Sequence, residues 1–173
     1  PPKNWAELHD CLKAILEALA SAQARGILHR DLKPDNVLFA SQSDVRAGLR
    51  LVDFGLAFLD EGQGEADEQK AAGTPRYMAP EQLAGQVCDR RADLYSVGIM
   101  AHQLITGRFP FTAKTEAEIA AWHRSGERKL GPLPHPFDEV IPKLIAIEPD
   151  ARYRDASAVI EALRIQGNDQ VLI

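Results

Sequence analysis

The polar side chains that could do chemistry together in this chain lie in residues 29–36, which read HRDLKPDN. Pro34 fixes its own φ angle and keeps the residue before it out of helical geometry, so the stretch is predicted to be a loop. Three of its side chains suit work on an anionic substrate. Asp31 is a candidate proton acceptor, Lys33 could steady anionic oxygens, and Asn36 offers a carbonyl oxygen to a hard cation such as Mg²⁺.

A second candidate metal ligand, Asp53, follows the apolar run 49–52 and opens the triplet Asp53-Phe54-Gly55. A carboxylate at the end of a strand could bind a Mg²⁺ ion that bridges phosphate oxygens. The glycine two residues later lets the backbone turn sharply. Taken alone, such a triplet is a weak signal.

Taken together, these motifs resemble those of the eukaryotic-type protein kinases, in the form typical of the serine/threonine branch. Residues 29–36 match the family's catalytic loop, 53–55 match its metal-binding triplet, and residues 79–81 (Ala-Pro-Glu) follow in the order that the family requires. A chance match to the specified positions of the loop is expected on the order of once in a billion start sites. The competing interpretation, a solvated helix-to-strand turn, leaves the order of the three motifs unexplained.

The resemblance implies a role for each candidate residue in transferring the γ-phosphoryl group of ATP. Asp31 would accept the proton of the substrate hydroxyl, and Lys33 would steady the transferring group. Thr74, in the segment that receives the substrate peptide, would hydrogen-bond both of them. The expected catalytic residues are Asp31, Lys33 and Thr74, the expected contacts to ATP are Lys33, Asn36, Leu38 and Asp53, and the expected Mg²⁺ ligands are Asn36 and Asp53.

The resemblance also implies a scaffold around these residues. Glu81 is expected to pair with the distant Arg152 in a buried ion pair, which would leave an unpaired charge if one partner were removed. Asp93 is expected to anchor the backbone of the catalytic loop. Its place near the start of a predicted helix also suits a carboxylate that accepts the unpaired N–H groups of its own helix.

Periodic apolar residues around the motifs predict a mainly helical body. Residues from about Trp5 to Gly26 carry apolar side chains at i, i+3, i+4 and i+7, which predicts a helix that delivers the catalytic loop. Residues 37–39 and 49–52 predict two short paired strands. Residues 91–107 are apolar on nearly all sides, as expected of a buried helix. Further helices are predicted at residues 115–124, 137–147 and 156–165, and a linker at 167–173.

The predicted fold is therefore mainly α. It is a helical bundle around a buried central helix, with a few short β-strands that carry the catalytic and metal-binding loops. By resemblance, residues 1–173 correspond to the C-terminal lobe of a protein kinase catalytic domain.

Composition limits the class of protein and its partners. The net charge of −5 and the lack of a basic cluster argue against binding to nucleic acid. No apolar run approaches the roughly eighteen residues that a membrane span needs. The two cysteines, Cys11 and Cys88, are too few and too isolated for a disulfide framework, so we expect a reducing compartment, the cytoplasm.

Residues 56–72 are rich in Gly, Asp, Glu and Gln and resemble the activation loop of the family, yet Ser, Thr and Tyr are absent between Asp53 and Gly73. In many kinases a phosphate on this loop pairs with the arginine of the catalytic loop, here Arg30. Either a fixed carboxylate replaces that phosphate, or the acidic loop is merely solvated and Arg30 pairs elsewhere. The candidate carboxylates are Asp60, Glu61, Glu65, Asp67 and Glu68.

The family also carries an N-terminal lobe with a Gly-rich loop and a phosphate-pairing lysine, and neither precedes Pro1. The chain also begins with Pro1-Pro2 instead of Met. We therefore expect a piece of a longer kinase that is inactive without its N-lobe, because phosphoryl transfer depends on positioning and electrostatics.

The expected partner is a protein substrate with a Ser or Thr acceptor, because tyrosine-specific relatives usually lack Lys33 and the Thr74-Pro75 dipeptide. Other functions remain open. A pseudokinase scaffold would be expected to lose Asp31, Asn36 or Asp53, and all three are present. A small-molecule phosphotransferase or a lobe-only module that docks partner proteins are the remaining alternatives.

Overall fold

The structure, a computed structural model, describes residues 5–40, 48–53, 58–59, 75–127 and 129–168, and this part of the chain is mainly helical. Its α-helices are α1 (Trp5–Gln23), α2 (Pro80–Leu83), α3 (Arg90–Thr106), α4 (Glu116–Ser125), α5 (Phe137–Leu144) and α6 (Ala156–Asn168). Its strands are β1 (Ile27–Leu28), β2 (Val37–Ala40), β3 (Gly48–Leu51) and β4 (Phe58–Leu59). The predicted fold class is confirmed.

Helix α3 lies at the centre of the helical body, as predicted. Every residue from Ala92 to His102 is buried. Helices α1 and α5 pack against α3, and α6 packs against both α1 and α5. The helix ends at Gly107, whose φ of 72° lies in the left-handed region that glycine adopts at low cost.

The contact between α3 and the end of α5 depends on a glycine. A Cβ atom at Gly98 would lie 2.6 Å from Cγ2 of Ile145 and 2.8 Å from Cβ of Leu144. Both distances are far below ordinary carbon–carbon contact, so any side chain here would push the two segments apart.

Helix α1 leads into the catalytic loop and ties three parts of the fold together. Its apolar face is buried, as the periodicity predicts. At its last residue, Gln23, the side-chain Nε2 donates to the carbonyl oxygen of Arg90 at 3.2 Å, and Oε1 accepts the N–H of Ala156 at 3.0 Å. The helix ends three residues before Gly26, the predicted terminator, because the chain turns through residues 24–26 into β1.

Two antiparallel strand pairs flank the catalytic loop. Strand β1 pairs with β4, and β2 pairs with β3 in a register that sets Val37 opposite Leu51. The predicted pairing of residues 37–39 with 49–52 is confirmed, with boundaries that differ by one residue. This ladder brings the end of the catalytic loop next to Val52 and Asp53.

The C-terminal helices differ from the prediction at their ends. Helix α5 stops at Leu144, three residues early, and a single 3₁₀ turn at Pro149–Ala151 precedes α6. Helix α6 continues to Asn168, into the segment predicted as a linker. None of the helices in the described ranges combines the length and hydropathy that a bilayer crossing requires.

Candidate active site

Asp31 and Lys33 of the catalytic loop form an ion pair. Lys33 Nζ donates to Asp31 Oδ2 at 2.7 Å, and the exposed fractions of the two side chains are 19 % and 12 %. The amide nitrogen of Asn36 donates to the carbonyl oxygen of Asp31 at 2.8 Å and lies 3.4 Å from the same Oδ2. The structure thus brings together the three residues that the loop motif singles out.

Arg30, directly before Asp31, has a left-handed backbone with a φ of 63°. This conformation is uncommon for a residue that carries a Cβ atom. It costs on the order of 1–3 kcal/mol and persists only when the surroundings enforce it. The N–H of Arg30 donates to Asp93 Oδ1 at 2.8 Å. Its carbonyl oxygen accepts a hydrogen bond from Nε2 of Gln82, also at 2.8 Å. Both peptide groups of Arg30 are therefore held.

Asp93 anchors the loop from inside α3, as the resemblance implies. Its two carboxylate oxygens accept the backbone N–H groups of His29 and Arg30 at 2.9 and 2.8 Å. Burial raises the pKa of the Asp93 carboxyl, and the two donors offset part of that rise. The expectation that Asp93 caps its own helix is wrong. That position belongs to Asp89, which accepts the N–H of Arg91 at 2.8 Å.

Asp53 lies exposed at the end of β3, with a φ of 61°. The residue before it, Val52, is held on both sides. Its N–H donates to the carbonyl oxygen of Asn36 at 2.9 Å, and its carbonyl oxygen lies 3.1 Å from Nε2 of His29. Asp31 and Asp53 therefore each follow a residue whose N–H and carbonyl are both hydrogen-bonded, which limits the freedom of the two carboxylates.

Asn36 and Asp53 each carry a side-chain oxygen of the kind that Mg²⁺ prefers. The nitrogen of the Asn36 amide is committed to Asp31, so its oxygen is the atom on the opposite side of the group. Mg²⁺ is commonly bound by one or two protein oxygen ligands together with phosphate oxygens. In the described ranges, no cluster of three or more His, Cys, Asp or Glu side chains is placed to hold a metal.

Leu38, the residue expected to touch adenine, lies on β2 and is 51 % exposed. A large apolar side chain at the surface beside the candidate metal ligands suits contact with a flat apolar ring. Other predicted residues lie outside the described part of the chain. They are Thr74, Phe54, Gly55, Asp60, Glu61, Glu65, Asp67 and Glu68.

Residues 75–81, the described part of the segment 73–81 that is expected to receive the substrate peptide, contact α3 and the end of the 3₁₀ turn before α6. The hydroxyl of Tyr77 donates to Oε1 of Gln103 at 2.6 Å, and Ser96 Oγ donates to the carbonyl oxygen of Tyr77 at 2.8 Å. The expected buried ion pair between Glu81 and Arg152 is present. This segment is therefore fixed to the same helix, α3, that anchors the catalytic loop.

Comparison with known families agrees with this geometry. Residues 3–158 match the model of the family described as protein kinase domain. The chain belongs to the protein kinase family. The resemblance drawn from the motifs is confirmed.

The kinase chain is similar to several bacterial proteins named serine/threonine-protein kinase. It is 38 % identical over 165 residues to Pkn1 of Myxococcus xanthus, covering 89 % of this chain and 23 % of the relative. It is 34 % identical over 153 residues to PknL of Mycobacterium tuberculosis, covering 86 % of this chain and 37 % of the relative. PkaA of Streptomyces coelicolor is 38 % identical over 139 residues, covering 80 % and 25 %. The chain thus spans between 23 % and 37 % of the length of these relatives.

The sequence does not mark two side chains, His29 and Gln82, as partners of backbone groups at this candidate site. In the sequence, His29 stands out only as a member of the loop motif. Gln82 carries one usable signal, because a Gln three residues after a helix N-cap often reaches back to the N–H of the capping residue. Gln82 does so here, accepting the N–H of Ala79 at 3.0 Å. Its second bond, to the loop, leaves no mark in the sequence.

Proposed function

We propose that this chain is the C-terminal lobe of a serine/threonine protein kinase. The complete enzyme would transfer the γ-phosphoryl group of ATP to Ser or Thr hydroxyls of protein substrates. The observation that carries the proposal is the arrangement of Asp31, Lys33 and Asn36 on one loop, locked to the strand that presents Asp53.

Asp31 is the proposed catalytic base. Its carboxylate would accept the proton of the substrate hydroxyl as that oxygen attacks the phosphorus, a role that requires a defined position. The held peptide groups of Arg30 and the bond from Asn36 to the Asp31 carbonyl supply that position. Positioning of this kind is the main contribution a protein makes to phosphoryl transfer.

Lys33 is the proposed partner of the transferring group. Its ammonium lies 2.7 Å from Asp31 Oδ2, so it stands where the hydroxyl and the phosphoryl group would meet. A positive charge here favours the anionic oxygens of the transition state. Asn36 and Asp53 would hold Mg²⁺, which when bound neutralises phosphate charge.

The proposed lobe holds only part of the ATP site. The residues proposed as the catalytic base, the metal ligands, the apolar contact to adenine and the peptide-receiving segment belong to this chain. Kinases of this family also use a Gly-rich loop and a lysine from an N-lobe. We therefore propose that the N-lobe of the same kinase is the partner of this surface. Without it, the lobe is expected to be inactive.

The proposed acceptor is Ser or Thr. Lys33 beside the base is the pattern of the serine/threonine branch, and the relatives reported above carry that name. A pseudokinase function is disfavoured, because Asp31, Asn36 and Asp53 are all retained and the first two share a hydrogen-bonded loop.

The proposal is tested with the full-length protein that contains this chain, labelled ATP, Mg²⁺ and protein substrates. Asp31→Asn should lower kcat by at least about 100-fold, the usual contribution of a general base. Asp10→Asn removes the same charge from an exposed residue of α1, outside the catalytic loop, and should leave kcat unchanged. A wild-type protein that transfers no phosphate to Ser or Thr, or an Asp31→Asn variant as active as wild type, would overturn the proposal.

A further inference from the structure

The side chain of Gln82 bridges the two segments on which the proposed reaction depends. Its Nε2 donates to the carbonyl oxygen of Arg30 at 2.8 Å, and its Oε1 accepts the N–H of Ala79 at 3.0 Å. The first partner directly precedes Asp31. The second lies in the segment 75–81, which is proposed to receive the substrate peptide. One side-chain amide thus connects the loop that carries the proposed base to the segment that is proposed to receive the substrate peptide.

The bond to Arg30 fixes the peptide plane that leads into Asp31. Asp93 holds the N–H of Arg30, but an N–H bond alone leaves the following peptide able to rotate about ψ of that residue. The bond from Gln82 to the Arg30 carbonyl restrains this rotation. Such a restraint matters here because Arg30, with a φ of 63°, is held in a conformation that it does not prefer.

The backbone carbonyl of Asp31 itself is also held by a side-chain amide. The carbonyl of Asp31 accepts the amide nitrogen of Asn36 at 2.8 Å, so the two carbonyls that flank the Asp31 Cα each accept a side-chain amide. Asn36 belongs to the catalytic loop itself, whereas Gln82 lies 52 residues away on α2. Gln82 therefore links the substrate segment to the residue that precedes the base. Within the described residues, the catalytic loop has no such link through Asn36.

We propose that Gln82 is a positioning residue for the base Asp31. Through the Arg30 carbonyl it sets the orientation of the carboxylate, and through the Ala79 N–H it keeps the substrate segment aligned with the loop. This inference rests on the proposed function and adds a residue outside the family motifs. Because Gln82 acts through backbone groups, its loss is expected to lower kcat and to leave the KM for ATP unchanged.

The first test replaces Gln82 by Glu in the full-length protein. The variant keeps the size of the side chain and the acceptor for Ala79, but it places an acceptor opposite the Arg30 carbonyl. Gln86→Glu is the matched control, because Gln86 is exposed, four residues along, and gains the same charge. Relative to that control, kcat for one fixed Ser/Thr peptide should fall about 10- to 100-fold, with the KM for ATP within about twofold.

The second test measures hydrogen exchange of the bonded amides of His29, Arg30 and Asn36, which needs no activity. Gln82→Ala removes both bonds without adding charge and serves if Gln82→Glu fails to fold. Exchange in the Gln82 variants should be about tenfold faster than in Gln86→Glu, the change expected when one hydrogen bond is lost.

The two tests separate the failure of this inference from that of the proposed function. An inactive wild-type enzyme overturns the proposed function, and exchange rates then decide whether Gln82 orders the loop. If the wild type is active, a kcat of Gln82→Glu within about twofold of the Gln86→Glu control overturns the inference. A raised KM for ATP at constant kcat also overturns it. Unchanged exchange overturns it in either case.

Discussion

Arg152 and Glu81, 71 residues apart in sequence, form a buried bidentate ion pair. The two guanidinium nitrogens Nη1 and Nη2 donate to the carboxylate oxygens at 2.6 and 2.8 Å, and the exposed fractions of the side chains are 0 % and 6 %. Arginine has five N–H donors, and the remaining bonds go to backbone carbonyls. These carbonyls belong to Ala146, Ile147 and Arg91.

Removing Arg152 should strongly destabilise the protein. Arg152→Ala leaves the carboxylate of Glu81 buried without its partner, a loss of about 3–5 kcal/mol in the free energy of unfolding. Arg152→Lys should recover little of it, because an ammonium cannot reproduce the planar fork. Urea unfolding of the full-length protein measures both. Arg154→Ala, an exposed neighbour, is the control. Equal unfolding midpoints for Arg152→Ala and Arg154→Ala would refute the structural role of the pair.

Gly98→Ala should destabilise the contact between α3 and the end of α5. The new methyl group would lie 2.6 Å from Cγ2 of Ile145, and such overpacking typically costs about 1–3 kcal/mol. This cost exceeds the gain of up to about 1 kcal/mol that alanine brings to a helix interior. A double-mutant cycle with Ile145→Ala checks the cause. The penalty of Gly98→Ala should shrink in the Ile145→Ala background, and a penalty of the same size in both would contradict the steric explanation.

The sequence predicts the groups whose partners are local or typical of the family. Asp31, Lys33 and Asn36 lie within six positions, and a loop ended by a proline turn brings them together. The pair of Glu81 with Arg152 is distant, but the resemblance supplies it. The mainly helical body follows from apolar periodicity, which can be read from the sequence without knowledge of tertiary contacts.

Contacts between side chains and distant backbone groups escape such reasoning. Gln82 binds the carbonyl of Arg30, and His29 binds the carbonyl of Val52. Every residue carries a backbone carbonyl, so no residue type marks the acceptor. Asp93 shows both sides of this limit. Its position in the sequence suggests the N–H groups of its own helix, whereas the resemblance supplies the actual partners, the N–H groups of His29 and Arg30.

Cys88 should react slowly with alkylating reagents near neutral pH. Burial, followed by the charge of Glu81, raises the pKa of the Cys88 thiol to about 11. The thiolate is the reactive form, so near pH 8 the rate should be about 100-fold below that of an exposed cysteine peptide, rising about tenfold per pH unit until the pKa is approached.

The alkylation rate of Cys88 is measured with iodoacetamide in a Cys11→Ser variant, which removes the other free thiol. Peptide mapping identifies the modified residue. Folding must be intact across the pH range, which circular dichroism monitors. Alkylation of Cys88 at the rate of the free peptide near pH 8 would show that its thiol is not shielded as the structure indicates.

Asp93→Asn should lower activity more than stability alone predicts. The asparagine amide has one acceptor oxygen, so it can bind the N–H of His29 or of Arg30, while its NH₂ group faces the other N–H. Arg30 would then lose an enforced left-handed conformation, and Asp31 its fixed position. A displacement of about 1 Å at a catalytic group can cost on the order of 100-fold in rate.

The control for Asp93→Asn is Asp89→Asn, on the same helix. Asparagine is as good an N-cap as aspartate, so this variant loses a charge while keeping the bond to the N–H of Arg91. In the full-length kinase, kcat should fall about 10- to 100-fold for Asp93→Asn and change by less than about twofold for Asp89→Asn. Similar kcat values at a temperature where both variants are folded would show that the catalytic loop does not depend on Asp93.

Asp93 and Gln82 hold the N–H and the carbonyl of the same residue, Arg30. The effects of their variants on kcat should therefore be non-additive. The double variant should be little slower than Asp93→Asn alone.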